Sequence, residues 1–164
     1  MIETVREPAF QVSPKAKIYW AVGDAIFLVI LIVATALGYF LTPDWSWKGW
    51  ALAGALTLVT LQLVNTIASP RIRYRVARWE VTMEAIYTRS GWISRELRIA
   101  PLSRVQTVDS QRGPLMRLFG LANITVTTAS AAGPITIEAL DEDIAEQVVA
   151  DLARITSEDE GDAT

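Results

Sequence analysis

The sequence predicts a two-helix transmembrane hairpin followed by a mainly-β sandwich or barrel capped by a C-terminal α-helix. Three observations predict it. Two long apolar segments lie close together near the N-terminus. Short segments with period-two alternation follow them. A final apolar stripe recurs at helical spacing before an acidic end. Over 164 residues the apolar share is 51% and the mean hydropathy is +0.29, high for a water-soluble domain. The chain has no Cys and no His. That excludes disulfides and thiolate or imidazole metal sites. It also removes Ser-His-Asp and Cys-His catalysis, which need an imidazole base.

After a segment at 1–17, read as cytoplasmic, the first span is Ile18–Leu41, whose only charge is Asp24. At ~1.5 Å per residue it covers ~36 Å, enough for a hydrocarbon core of ~30 Å with some tilt. The run is longer than a signal-peptide core, and a second span follows at once. That span, Trp50–Ala68, carries no charge and covers ~28 Å. Neither segment has the polar face of a surface helix. Pro43 in the short link 42–49 stops the first helix, so the predicted hairpin is 18–69. Trp45, Trp47 and Trp50 mark one interface, Tyr19 and Trp20 the other. Lys15, Lys17, Arg71, Arg73, Arg75 and Arg78 flank one side against Lys48 alone on the other. The positive-inside rule then puts both termini in the cytoplasm.

Asp24 is costly at membrane depth. In an antiparallel pair its level falls near Asn65 and Thr66, so the first reading is an intramembrane polar pairing of Asp24 with these two residues, worth ~1 kcal/mol. Snorkelling to the interface and a proton or ion role are the alternatives. Ala34, Gly38, Ala51 and Ala55 are small residues four apart that permit close helix approach, a spacing that also arises by chance.

From Arg71 onward the pattern changes. Tyr74–Val81, Ala85–Arg89, Ile93–Ala100, Val105–Arg112, Asn123–Ala129 and Ile135–Ala139 read as strands, with turns at Ser90-Gly91 and Ser130–Pro134. Pro114 near its start and Gly120 at its end make 113–120 a helix of one or two turns. Asp141–Ile155 reads as a longer helix, capped by Asp141, with Ile144, Val148, Leu152 and Ile155 as its apolar stripe. The β domain is thus 70–156. The tail at 157–164 (SEDEGDAT) is acidic and lacks apolar content, which predicts disorder.

Several motifs in this half are familiar: Trp79-Glu80-Val81-Thr82, Arg89-Ser90-Gly91-Trp92, Pro101-Leu102-Ser103-Arg104-Val105-Gln106, then Gly113-Pro114-Leu115 with Arg117 and Gly120-Leu121, then a Thr-rich strand. With the preceding hairpin, this order resembles the bacterial pleckstrin-homology-like membrane proteins of the YdbS type over roughly residues 15–155. The resemblance implies a PH-like domain of two packed antiparallel sheets closed by the C-terminal helix. It also admits a place in envelope stress. Fold alone does not name a ligand.

The charge distribution frames the function. Residues 71–120 hold ten Arg against Glu80, Glu84, Glu96 and Asp109, while 138–164 hold ten acids against Arg154. No catalytic constellation, metal cluster or cofactor motif is present in the sequence. The acids at 141–143 start a helix, diverge around it and lack the other ligands of a calcium loop. RGG and RNP signatures are absent and the net charge is -3, which argues against nucleic acid. The expected function is a non-enzymatic interaction or self-assembly module at the inner leaflet, its partner a second copy or another membrane protein. Its candidate surface comprises Arg95, Arg98, Pro101, Arg104, Gln106, Arg112, Pro114 and Arg117. The alternative is binding of anionic lipid headgroups, with Arg71, Arg73, Arg75 and Arg78 facing the lipid. A small enzyme or transport subunit built around Asp24 is a third class.

Overall fold

The computed structural model describes residues 7–92, 94–129 and 133–161. Ile93, the first part of the expected 130–134 turn and the end of the tail lie outside the described residues. The chain forms two compact units: Lys17–Ile72, and residues through Ala16 together with Arg73 onward.

The first unit carries the two spans, which lie within α1 (Ala16–Leu41) and α2 (Lys48–Val76). Large apolar side chains are exposed all along them, among them Ile26, Phe27, Ile30, Val33, Leu37, Leu56, Leu61 and Val64. Such a surface is stable only with lipid as its solvent. The backbone must then satisfy itself internally, which a helix does. The hydroxyls follow the same rule. Thr35, Thr57, Thr60 and Thr66 each donate to the carbonyl four residues earlier, on Leu31, Ala53, Leu56 and Gln62. At the link, Thr42 donates both its N–H and its hydroxyl to the Gly38 carbonyl, which ends α1.

Helix α2 runs past the expected end at Ala68, through Pro70, to Val76. Pro70 removes one helical bond. Next to it the Arg71 guanidinium donates to the Ile67 carbonyl at 2.6 Å. The expected strand from Tyr74 is therefore corrected: its first part is helix, and the strand is only Arg78–Val81. The cause is cooperative. Extending an existing helix costs no new nucleation, and alternating Arg and apolar residues at 71–76 suit either state.

The second unit is the head. Its first sheet has the order β1 (Phe10–Gln11), β2 (Arg78–Val81), β3 (Ala85–Ser90), β4 (Glu96–Pro101). A 3-10 turn, Leu102–Arg104, leads to the second sheet, β5 (Val105–Gln111), β6 (Leu121–Thr128), β7 (Ile135–Asp141). All pairings are antiparallel. Period two is clearest on β6, where Ile124, Val126 and Thr128 are buried and Asn123, Thr125 and Thr127 are half-exposed. Ile86, Leu121, Ile124, Ile137 and Leu140 are fully buried and form the core. Gly91 closes the β3–β4 turn at φ +121°, where a Cβ would lie 1.8 Å from the Ser94 carbonyl oxygen, so no other residue fits there.

The short helix is α3 (Pro114–Phe119), with Pro114 at its start and Gly120 left-handed at its end, as the sequence predicts. Helix α4 (Glu142–Gly161) caps the sandwich, packing along β5 and β6. Two expectations about it change. Asp141 is the last residue of β7, and the helix carries on through 157–161, where disorder is predicted. Glu-rich segments propagate a helix that is already docked. The buried stripe is Ala145, Val148 and Leu152, while Ile144 is 40% exposed. Steps of four residues drift around the helix. A three–four alternation stays on one face.

The largest departure is β1. The sequence sets 1–17 apart from the β domain, yet Phe10 pairs with Trp79 and Gln11 with Arg78. The membrane hairpin is thus inserted between the first and second strands of the head. A two-residue strand has no periodicity to reveal it.

Candidate interaction surface

Of the eight residues predicted to form one surface, seven divide between the two ends of β5 and Arg95 stands apart from both. At the start of β5, Arg98, Pro101 and Arg104 line one groove of about 360 Å³ with Leu97, Ile99 and Ile135. β4 is the outer strand of its sheet, so one row of its backbone N–H and C=O groups has no strand neighbour. Leu97 and Ile99 are 39% and 48% exposed, giving that edge an apolar side. Arg98 donates to Glu96 Oε1 at 2.7 Å and to the Pro134 carbonyl at 2.9 Å, which ties β4 to the β6–β7 connection. Arg104 is exposed, and its guanidinium has no partner among the described residues. Its carbonyl accepts from Ala129 N at 2.9 Å, which anchors the corner. Gln106 is exposed at the register shift between Val105 and Thr107, where the bulge turns β5. Arg95 is exposed just before β4, at the opposite end of that strand from Pro101.

At the far end of β5, some ~24 Å away by strand rise, lie Arg112, Pro114 and Arg117. Arg112 is structural. Its guanidinium bonds Glu142 and, at 3.0 Å, Glu146, pinning the start of α4 to the end of β5. The two glutamates raise the pKa of Arg112, with burial opposing. Pro114 and Arg117 are exposed on α3.

The basic quartet next to the membrane also divides. Arg71, Arg73 and Arg75 are exposed on the extension of α2, and Arg73 and Arg75 have no side-chain partner among the described residues. Arg78 instead enters β2, with its Nε buried and unpaired. In the spans the expected pairing is not made. Asp24 Oδ2 is buried without a hydrogen-bond partner, and the Thr66 hydroxyl is used by the Gln62 carbonyl of its own helix. Helical geometry offers Thr66 that acceptor at no entropic cost. No group of three or more acidic side chains stands together as a metal site among the described residues.

Sequence reasoning missed the strap at 7–16, which stitches both sheets. Glu7 pairs with Arg89 at 2.5 Å. Ala9 N donates to the buried Glu80 carboxylate at 3.1 Å. Ser13 N donates to the Ala139 carbonyl at 3.1 Å. Ala139 sits at φ +52°, and its own N–H is taken by Asn123 Oδ1 at 2.8 Å. Lys15 Nζ lies 2.8 Å from Asp141 Oδ1. No local signal marks any of these, because each joins residues far apart in sequence.

The Lys15–Asp141 pair gives a pH prediction. The Lys15 ammonium holds the Asp141 carboxyl below its ordinary value, with burial opposing and the Ser13 hydroxyl helping. Asp141 in turn raises Lys15. The depressed acid contributes stability that is present above its unfolded pKa of about 3.9 and is lost as pH falls through its folded value. The raised base loses its contribution as pH rises through a value above 10.5. The expected result is that Lys15→Met lowers the melting temperature near neutral pH. The difference from the parent closes under acid below the ordinary aspartate range. A gap that persists there counts against the pair.

The sequence profile described as the bacterial PH domain matches residues 22–156. The chain is 31% identical over 160 residues to the UPF0699 transmembrane protein YdbS of Bacillus subtilis (strain 168), covering 93% of this chain and 98% of that protein. No solved structure matches it.

Proposed function

The chain belongs to the bacterial PH-domain family, and on that premise we propose that it is a docking module fixed at the inner leaflet. Its non-enzymatic head gathers a protein segment, from another membrane protein or a second copy, beside β4. The observation that carries this reading is the insertion of the two spans into the head. Val12 to Lys15 alone join β1 to α1, and Ala77 alone joins α2 to β2. At ~3.3–3.6 Å per residue the longer link reaches at most about 15 Å. A head tethered this way cannot diffuse away from the spans, so its effective concentration toward other membrane proteins is high. The groove with its free strand edge, exposed Leu97 and Ile99 and unpaired Arg104 suits an extended acidic–apolar segment. The basic residues flanking the head side of both spans favour cytoplasmic termini.

The test is photo-crosslinking in cells with a photoreactive residue at Leu97 or Arg104, against Gln147 on the exposed face of α4. Discrete protein adducts are expected from the groove positions and not from Gln147. Adducts from neither place, or equally from both, would reject the groove.

Arg73 and Arg75, exposed on the α2 extension and without side-chain partners among the described residues, favour a second reading in which the same chain selects anionic lipid. Each such charge near the surface is worth about 1 kcal/mol, or about fivefold. For the full chain released from mixed nanodiscs, the ratio of retained anionic to neutral lipid is expected to fall by that factor with each Arg→Gln change. An unchanged ratio in Arg71→Gln/Arg73→Gln/Arg75→Gln would remove this reading.

A further inference from the structure

We propose that the hairpin holds one glycerophospholipid of the leaflet opposite the head, with an acyl chain wedged between the spans and its phosphate on Lys48. A cavity of about 400 Å³ opens between α1 and α2 beside their link. That is within the size range of ligand sites, roughly 300–1,000 Å³. Ala34 and Gly38 form one wall, and Ala51 and Ala55 the other. A Cβ on Gly38 would meet nothing within 4 Å, so these small residues leave space between the helices instead of bringing them together. From Ala34 to Leu41 the cavity descends ~10 Å from the interface. At that depth the surrounding solvent is hydrocarbon. A single acyl chain is narrow enough to enter the cavity.

The mouth of the wedge has the chemistry of a headgroup. Trp45 and Trp47 pack at 5.1 Å between ring centres and, with Tyr39, form an aromatic rim of the kind found at headgroup level. The Lys48 ammonium donates to Asp44 Oδ1 at 2.9 Å and to the Thr42 carbonyl at 3.1 Å, and stands 4.7 Å from the centre of the Tyr39 ring. An ammonium has three donors, so one remains for a phosphate oxygen. The Lys48 side chain is only 21% exposed, whereas that of Asp44 is 97% exposed. The cation is thus fixed and partly desolvated, while its carboxylate partner is free to give way or to meet an ammonium on the headgroup. This inference does not depend on what the head binds.

The test uses the full chain in nanodiscs with either a phosphatidylethanolamine or a diacylglycerol bearing the same diazirine-labelled acyl chain. Sites of labelling are mapped by mass spectrometry. Labelling is expected to concentrate at 34–38 and 51–55 over the outward faces of both spans. Gly38→Leu fills the wedge where nothing stands in its way and is expected to cut wedge labelling about tenfold while leaving the outward faces unchanged. Ala55→Leu does the same from the other wall if the first variant fails to insert. Lys48→Gln is expected to reduce phospholipid labelling about tenfold, the loss of one charge-assisted bond, and to leave diacylglycerol labelling alone. Uniform labelling along both spans, or wedge labelling that survives both fillers, overturns the proposal. So does a disulfide-linked dimer of Gly38→Cys, since the parent chain has no Cys and such a bond would place a second copy in the wedge.

Discussion

A chain that starts at Ala16 is expected to insert its two spans and yet fail to fold its head. The strap removed by that truncation buries Pro8 and Val12, each worth roughly 1–3 kcal/mol by apolar burial. Its Phe10 ring lies 5.3 Å from that of Trp79, a contact worth about 0.5–1.5 kcal/mol beyond burial. The Glu80 carboxylate, 5% exposed, loses the Ala9 N–H, one hydrogen bond to a charged group and worth about 1.5–3 kcal/mol. Ala139, held at positive φ, loses the Ser13 N–H from its carbonyl. These losses are comparable with the ~5–15 kcal/mol by which whole domains are stable. The converse construction is expected to work. Gln11 Nε2 reaches the Tyr74 carbonyl at 2.9 Å, so the two ends of the insertion meet. Replacing 17–72 by a short Gly/Ser linker is expected to give a water-soluble head that melts cooperatively by circular dichroism. If 73–161 alone melts at the same temperature as the strapped version, β1 is dispensable and the insertion has no structural consequence.

That asymmetry also explains what could be read from the residues alone. The spans were legible because apolar length without charge is a local property. So were Pro114 and Gly120, whose backbone preferences act at their own positions, and β6, whose six-residue alternation repeats along one strand. What stayed hidden was set by partners remote in sequence. Phe10 pairs with Trp79 across the whole hairpin, and nothing near Phe10 announces a strand. Arg112 looks like any other member of the Arg-rich stretch until β5 and α4 bring it to Glu142 and Glu146. Arg98 and Arg104 share a groove at the start of β5, whereas β5 carries the chain away from that groove before Arg117. Asp24 sat at a plausible level for Asn65 and Thr66. Level along a helix does not fix which side faces the partner.

The phase of α4 provides the second large test, because two leucine-sized residues on one helix are expected to behave in opposite ways. Leu152 is fully buried and Ile144 is 40% exposed. Leu152→Ala removes buried methylenes and leaves a void against β5 and β6, at a cost of about 2–5 kcal/mol. For a head of this size each kcal/mol moves the melting temperature by about 4–8 °C, so a fall of roughly 10 °C or more is expected. Ile144→Ala removes atoms that lie largely outside the contact and is expected to stay within about 0.5 kcal/mol. The comparison is informative because both residues belong to the stripe that sequence spacing alone selects, and that stripe predicts equal losses. Arg112 supplies the reason they differ. By holding Glu142 and Glu146 it sets the rotation of the first turns, and Ala145, Val148 and Leu152 then follow onto the sheet. Arg112→Ala combined with Leu152→Ala is therefore expected to cost less than the sum of the two, since a helix freed at its start repacks around the void. Equal losses for Leu152→Ala and Ile144→Ala would mean that α4 docks through the other face, and the clamp at Arg112 would lose its role.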